Sequence, residues 1–472
     1  MKKYSIIIAL VLTLTGCSFY ADFERPEVSN LHELYDADTT YTRLADYSWR
    51  EFFTDTLLQK YIERGLEYNI DMRTAELNIL EAEAALEAAK NAFLPSVSAS
   101  LQTTLSGGSG NGASFSYSLI PTASWEVDVF GKLRNAQRGA EVALMQSLLR
   151  VQAVKSKLIA TIANNYYTLL MLDEQLKTSR HTLTTWEENI RTLTALKRAG
   201  KATEAAVLQA KANRFSVEGS VLTLERQIVE QEEALATLMG VLPFEIERGT
   251  LADQKFPEEF SLGVPLELVS LRPDVLQAEA NLATKFFAVN EAKAAFYPSI
   301  TLTGSGGWSD ATGKAISDPG GFILKMVGGI VQPIFARGVN KARMKIALAQ
   351  QDAALLQYRQ ALLNAGAEVN TALKKWQISK ERYSIDLKQI VTLRAAVWNT
   401  QLLMKYGSAS YLEVLTAQQN LLNAELAQST DRYSEIQGII QLYYALGGGV
   451  KLDVGVGNWL EDKTKTTVSS EE

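Results

Sequence analysis

Residues able to do covalent or metal chemistry are few here. The chain of 472 residues holds two histidines, His32 and His181, and one cysteine, Cys17. Neither histidine stands in a His-Glu-x-x-His pattern or at the spacing that lets two imidazoles share a metal. Gly107-Gly108 opens a glycine-rich loop, but no Gly-Lys-Ser/Thr follows to supply the lysine and hydroxyl of a phosphate cradle. Gly304-Ser305-Gly306 falls short of Gly-x-Ser-x-Gly, a motif that also needs a strand-to-helix turn. No enzyme, catalytic residue or metal site is therefore expected. A net charge of −6 without a run of Lys and Arg argues against nucleic acid, whose binders release counterions through a basic face.

What chemistry remains lies at Cys17. Lys2 and Lys3 precede Ile6–Leu14, an apolar run far short of the roughly 20 residues a membrane helix needs. The run ends in Leu14-Thr15-Gly16-Cys17, which resembles the lipobox cleaved by lipoprotein signal peptidase. Residues 1–16 are then a removed signal peptide, and Cys17 carries a covalent lipid, with no other cofactor expected. A single thiol cannot close an internal disulfide, which suits a lipidated residue of an exported protein. The other reading is an ordinary signal peptide with an incidental cysteine. Ser18 follows in place of Asp, and the resemblance to lipoproteins then implies sorting to the outer membrane. Lys325, Gln332 and Pro333 interrupt the most apolar later stretch, residues 320–336. A membrane-entering mature chain must therefore do so as a closed β-barrel.

The elements that carry this chain through space are written twice. Ala89-Lys90-Asn91-Ala92-Phe93-Leu94-Pro95-Ser96-Val97 matches Ala292-Lys293-Ala294-Ala295-Phe296-Tyr297-Pro298-Ser299-Ile300, about 203 residues on. Asp71 and Ala75-Glu76-Leu77-Asn78 match Asp274 and Ala278-Glu279-Ala280-Asn281 at that same offset. Val129-Phe130 then matches Ile334-Phe335, Val207-Leu208-Gln209-Ala210 matches Val414-Leu415-Thr416-Ala417, and Leu238-Met239-Gly240 matches Ala445-Leu446-Gly447. Each half reads helix, two strands, very long helix, turn, long helix.

The strand segments, about residues 96–105, 114–128, 299–309 and 321–333, mostly alternate with period two. Val97, Ala99, Leu101, Thr103 and Leu105 oppose Ser96, Ser98, Ser100, Gln102 and Thr104; the second and third segments repeat the scheme. The fourth is apolar at Phe322, Leu324, Met326 and Ile330, with Lys325 on a more mixed face. A soluble sheet on a core would alternate too. Lengths near ten residues and almost uncharged Ser/Thr faces favour lipid on one side and a wet lumen on the other. Trp125, Trp308, Phe115 and Tyr117 could form interfacial girdles. Pro121 removes a ladder donor, so a bulge or bend is expected there. Four strands cannot close a barrel, so copies must share one: two would give eight strands and three would give twelve.

Residues 132–198 lack proline and hold one glycine, Gly139, giving about 100 Å of helix; its sister runs from about 339 to 406. Leu169, Leu176, Leu183 and Ile190 recur every seven residues, and the sister places Trp376, Tyr383, Ile390 and Val397 correspondingly. That shared seam predicts coiled-coil packing between the duplicated helices. The chain reverses at Gly200-Lys201 and Gly407-Ser408, where glycine can end a helix. Two helical hairpins result.

This layout resembles the TolC-like outer-membrane efflux family, lipoprotein branch, which partners resistance–nodulation–division pumps. The resemblance is carried by Leu271-Arg272-Pro273-Asp274-Val275, Trp49-Arg50-Glu51-Phe52-Phe53 and Trp125-Glu126-Val127-Asp128-Val129-Phe130-Gly131-Lys132. It implies a mainly α fold with a transmembrane β-barrel. In a homotrimer, three copies share a 12-strand barrel continued by an α-helical tunnel of long coiled-coil helices. It implies an outer-membrane exit duct with a long periplasmic extension, working with a periplasmic adaptor and an inner-membrane pump. The helix tips Gly200, Lys201, Gly407 and Ser408 would meet the adaptor. Glu413 matches the first acidic position of the family's periplasmic gate, where three carboxylates would repel anions and attract cations. Thr416 replaces the next acid, and Ala409 the arginine lock. The implied division is signal peptide 1–16, lipid-anchored segment 17–53, first repeat 54–241, equatorial connector 242–270, second repeat 271–449 and polar tail 450–472. A duct for peptide or protein export and a periplasmic coiled-coil scaffold are the competing functions.

Overall fold

The computed structural model of the chain describes residues 20–26, 47–108, 111–256, 272–310, 322–407 and 409–448, with 106–117 and 309–310 described by their backbone alone. Cys17, Ser408, the signal segment 1–16, the loop 311–321, the tail 450–472 and part of the 242–270 connector lie outside the described residues. In chain order the elements are α1 Trp49–Phe52, α2 Thr56–Tyr68, α3 Ile70–Asn91, β1 Ser96–Gly108, β2 Asn111–Val127, α4 Lys132–Arg198 and α5 Glu204–Leu238. The second half follows with α6 Pro273–Ala294, β3 Ser299–Asp310, β4 Phe322–Val331, α7 Val339–Lys405 and α8 Tyr411–Ala445. The duplication holds to the residue: α3 and α6 have 22 residues each, α4 and α7 have 67, and α5 and α8 have 35. No described helix is long and apolar enough to cross a membrane.

The chain forms two compact units. The first comprises Met1–Val28, Leu77–Leu148 and Gln277–Gln360, and it contains the sheet. Its strands run β1-β2-β3-β4, antiparallel throughout, with β1 and β4 as open edges. The pairing keeps like with like on the apolar side, whereas the polar side also sets Ser100 against Ile120 and Thr303 against Val327. Val97 faces Ala123, Leu101 faces Leu119, Trp125 faces Leu302 and Trp308 faces Phe322. On the other side Ser98 faces Thr122, Ser124 faces Thr303 and Ser305 faces Lys325. Leu101 is 69 % exposed, Leu324 72 % and Met326 85 %, so one side of the sheet is an uncovered apolar surface. β4 ends at Val331, ahead of Pro333, which cannot donate to a ladder.

Pro121 makes no bulge. It stays in register opposite Ala99, and the one irregularity of the β1–β2 pair falls at Ser106/Gly108 instead. Between β2 and β3 the recorded partners step from Leu119–Trp308 to Thr122–Ser305 without a shift in register. Opposite this gap β2 presses on Gly307, where an added Cβ would lie 2.1 Å from the Leu119 carbonyl oxygen. Backbone cannot yield as a side-chain tip can, so Gly307→Val should separate β2 from β3. We expect loss of the heat-modifiable folded band on semi-native gels, with Gly304→Val far milder because nothing lies within 4 Å of its Cβ position.

The strand-to-helix joint accounts for the run from Trp125 to Lys132. Trp125 donates its indole N–H to the Phe93 carbonyl at 2.8 Å, Gly131 takes φ 69°, and Asp128 accepts from the backbone N–H groups of Leu133 and Arg134 at 3.0 and 2.9 Å. A carboxylate on the first orphan amides of a 67-residue helix both satisfies them and complements the dipole.

The second unit comprises Ser29–Glu76, Leu149–Leu276 and Ala361–Glu472. Its core includes Ile162, Tyr166, Leu169 and Leu170 on α4, Leu235 on α5 and Ile436, Ile440 and Tyr443 on α8. Trp49-Arg50-Glu51-Phe52-Phe53 docks here: Phe52 stacks on Tyr443 at 4.2 Å and Phe53 meets it edge-on. The described part of the connector is tied to helices by polar contacts. Arg248 pairs with Asp173 and Glu232, which raise its pKa against the opposing effect of burial. Asp55 caps α2 through the amides of Leu57 and Leu58, and also accepts from Tyr166 Oη at 2.8 Å and Gln254 Nε2 at 3.0 Å.

Candidate functional site

Both helix reversals are built by local backbone chemistry. Gly200 has φ 72°; its N–H reaches the Lys197 carbonyl at 3.0 Å, and the Lys201 N–H reaches Leu196 at 2.8 Å. This paired pattern closes the end of α4 and needs a left-handed residue. Gly407, with φ 78°, ends α7 through the Met404 carbonyl. An exposed ion pair, Lys197 with Glu204, spans the first turn and holds the Glu204 carboxyl below the usual carboxylate range. Thr203 caps α5 through the Ala206 amide at 3.2 Å.

Glu413 is exposed on the first turn of α8. Its Oε1 accepts from the Ser410 backbone N–H at 3.3 Å and the Ser410 hydroxyl at 2.9 Å. The carboxylate therefore does local work as the acid of a helix start. Thr416, three residues on, donates its hydroxyl to the Leu412 carbonyl of its own helix.

Behind the tips, Trp186 and Leu193 of α4, Val207, Ala210 and Val217 of α5, and Leu415 and Leu422 of α8 form one apolar cluster, with Leu183, Ile190 and Tyr411 against it. The seven-residue seam expected of α4 contributes Leu183 and Ile190 at its margin, and the partners in this cluster are α5 and α8 rather than the sister helix α7. Asn189 Nδ2 donates to Gln418 Oε1 at 2.7 Å across the same region. The Tyr411 hydroxyl is buried without a partner, and burial raises its pKa. Gly200, Lys201, Gly407 and Glu413 thus sit at the ends of hairpins that share a core, while Ser408 and Cys17 fall outside the described residues.

Two features were not read from the sequence. One is a stripe on α5: Leu208, Phe215, Leu222 and Val229 recur every seven residues, and all are more than half exposed. Spacing alone could have found it. The other is a buried acid pair, Asp386 of α7 and Asp431 of α8, 8 % and 6 % exposed, with Arg382 Nη2 2.9 Å from Asp431. Its members are distant in sequence and fit no motif.

Burial, then the hydrogen bond and charge of Asp431, push the Asp386 carboxyl up to about 6, with Arg382 opposing. The unfolded value is about 3.9, so between about pH 4 and 6 the folded chain keeps a proton that the unfolded chain releases. The pair is therefore least costly at acid pH, and stability is lost as pH rises through the folded value. Asp386→Asn should raise the melting temperature at pH 8 by roughly 1–3 °C and leave it nearly unchanged at pH 4.5. An equal shift at both pH values in a thermal scan would refute shared-proton behaviour.

The family described as outer membrane efflux protein matches residues 61–241 and 264–448 of this chain. The cation efflux system protein CusC of Escherichia coli O6:H1 is 27% identical, the alignment covering 93% of this chain and 97% of CusC. The pyoverdine export outer membrane protein OpmQ of Pseudomonas putida is 31% identical over 87% of this chain and 90% of its own. Among solved structures, the open state of the Neisseria gonorrhoeae MtrE outer membrane channel superposes with a TM-score of 0.83 at 29% identity, covering 93% of this chain and 99% of MtrE.

Proposed function

The chain belongs to the outer membrane efflux protein family, and from that premise we propose that three copies form one lipid-anchored duct through which an inner-membrane pump, joined by a periplasmic adaptor, expels small molecules. The observation that carries the assembly is the sheet with two open edges and one uncovered apolar face. A four-strand sheet in lipid leaves its edge amides and carbonyls unsatisfied, and closing it with further copies removes the edges. Three copies give twelve strands, an even number in the range of known barrels. The heptad stripe on α5, uncovered in a single chain, supports helix-to-helix packing between copies.

The wet face is mostly Ser, Thr and Gln on β1 to β3 and mixed on β4, where Lys325 lies between Ile323 and Val327, with Glu126 paired to Lys132 at 3.0 Å. Small neutral hydroxyls offer no selective binding pocket, so cargo choice falls to the pump and the duct passes what it receives. CusC and OpmQ bear the names of different cargoes, a cation and pyoverdine, which fits such a division of labour. Cys17 carries the lipid in this reading. The turns at Gly200-Lys201 and Gly407-Ser408 meet the adaptor, and three Glu413 carboxylates ring the closed entrance.

Planar-bilayer recording tests the gate. Glu413→Ala should raise single-channel conductance and reduce cation preference, whereas loss of the helix-start contact alone would leave both untouched and cost about 1 kcal/mol of stability. Unchanged conductance and selectivity remove Glu413 from the gate. Sedimentation of the detergent-solubilised protein should give three chains per particle, and any other number overturns the shared barrel as stated.

A further inference from the structure

Within the first unit, next to the foot of β3, lies an open cavity of about 380 Å³ whose walls include Tyr20, Phe286, Asn290, Lys293, Phe296 and Tyr297. Asn290 is 3 % exposed, yet its amide nitrogen has no hydrogen-bond acceptor. A buried amide donor left without a partner is unfavourable, so its place in a cavity wall points to an acceptor brought from outside. Lys293 follows one turn later on the same side of α6, exposed and with no ion pair recorded among the described residues. An ammonium and an amide N–H side by side suit an oxygen anion. The C-terminal dipole of α6 opposes an anion there, but the full charge of Lys293 outweighs that fractional one.

The other walls are greasy. Phe296 and Tyr297 are 41 % and 44 % exposed, and Phe286 is held by edge contacts with Phe23 and Phe287. Three residues beyond Tyr297, Ile300 begins the apolar face of β3 opposite Ile330. The N-terminal segment borders the cavity through Tyr20, fixed by Arg25 on Glu279 at 2.6 Å and Arg138 on Asp22 at 3.2 Å. An anion site that opens onto aromatic rings at the edge of an apolar sheet face has the layout of a lipid headgroup region.

The duplicated foot sharpens this. In the first repeat Lys90, Phe93 and Leu94 stand where the second has Lys293, Phe296 and Tyr297, but Glu87 stands in the place of Asn290. A carboxylate there would repel an anion, so the second foot alone carries both donors.

We propose that Asn290 and Lys293 hold the phosphate of a membrane phospholipid, whose glycerol and upper acyl carbons lie against Phe286, Phe296 and Tyr297. This rests on the reading that the apolar sheet face meets lipid.

Native mass spectrometry of the full, detergent-extracted protein tests it, titrating a short-chain phosphatidylglycerol, the diacylglycerol of the same chains and inorganic phosphate separately. Phosphatidylglycerol should form a saturable adduct, weakened roughly tenfold by Lys293→Gln and at least as much by Asn290→Leu. Lys90→Gln should leave it unchanged, and diacylglycerol and inorganic phosphate should each bind at least roughly tenfold more weakly. Lys293 is exposed, so its variant keeps the fold even if Asn290→Leu does not. An adduct of equal strength in Lys293→Gln overturns the proposal. Inorganic phosphate binding as tightly as the lipid also overturns it, as does an adduct seen only after Cys17→Ser, which would assign the cavity to the anchor's own acyl chains. A protein that stays in solution without detergent would instead defeat the membrane reading, whereas loss of the adduct's site dependence in a detergent-requiring protein defeats this proposal alone.

Discussion

Arg272→Ala should lower the melting temperature by roughly 6 °C and deplete the assembled protein. The guanidinium is 3 % exposed and is held from every side. Its Nε and Nη2 meet the two oxygens of Asp274 at 3.0 and 2.8 Å, Nη2 meets Glu368 at 2.7 Å, and Nη1 reaches the Ala445 carbonyl at 3.0 Å. Burial by itself would lower its pKa; Asp274 and Glu368 outweigh that and raise it. One side chain thus joins the start of α6, the middle of α7 and the end of α8. Removing it leaves two carboxylates near one another and an end-of-helix carbonyl without its donor. Breaking a buried pair costs about 3–5 kcal/mol. The lower figure applies because the carboxylates stay about half solvated. Arg272→Met with Asp274→Asn and Glu368→Gln should recover part of the loss, since no uncompensated charge remains. A thermal scan showing Arg272→Ala within 2 °C of the parent, a margin of about 1 kcal/mol or less, would sink the clamp.

Leu101→Arg and Gln102→Arg, adjacent on β1, should behave as opposites. Leu101 lies on the apolar side of the sheet and Gln102 on the polar side. An arginine facing lipid near the bilayer midplane costs about 2–4 kcal/mol, and a barrel shared by three copies suffers it three times. The sum is comparable to the whole stability of an ordinary fold, about 5–15 kcal/mol. Gln102→Arg places the same charge in water and should assemble near normally, with a shift in ion selectivity. Yield of heat-modifiable protein in the outer membrane fraction decides. Equal tolerance of both substitutions would mean that the apolar side does not meet lipid.

Much of this architecture was legible because it is periodic or repeated. The alternation of Val97, Ala99 and Leu101 with Ser98, Ser100 and Gln102 fixes both strand and face, since a one-residue slip would invert every side chain. The seam Leu183–Ile190 on α4 announced a helical partner, and the tip glycines Gly200 and Gly407 do adopt the left-handed conformation that ends a helix. Strand ends were less sharp: β1 runs on to Gly108 because backbone pairing continues into the glycines opposite Asn111. What sequence could not show were contacts between distant segments. Arg272 meets Glu368 and Ala445, and Asp386 meets Asp431, through folding that no spacing encodes. At Glu413 two readings coincide in the same letters. Ser410-x-x-Glu413 is a helix-start pattern, and its hydrogen bonds to Ser410 are present in a single chain, whereas a ring of carboxylates requires the copies together.

The open edges of β1 and β4 also set an order in time. Alone, one copy would carry two rows of bare amides and carbonyls into oil, which no lone sheet survives. Entry into the bilayer and association of copies must then be a single event, so the rate of maturation should climb steeply with the supply of chains. A copy with a spoiled edge would ruin every ring that admits it and act dominantly over intact neighbours.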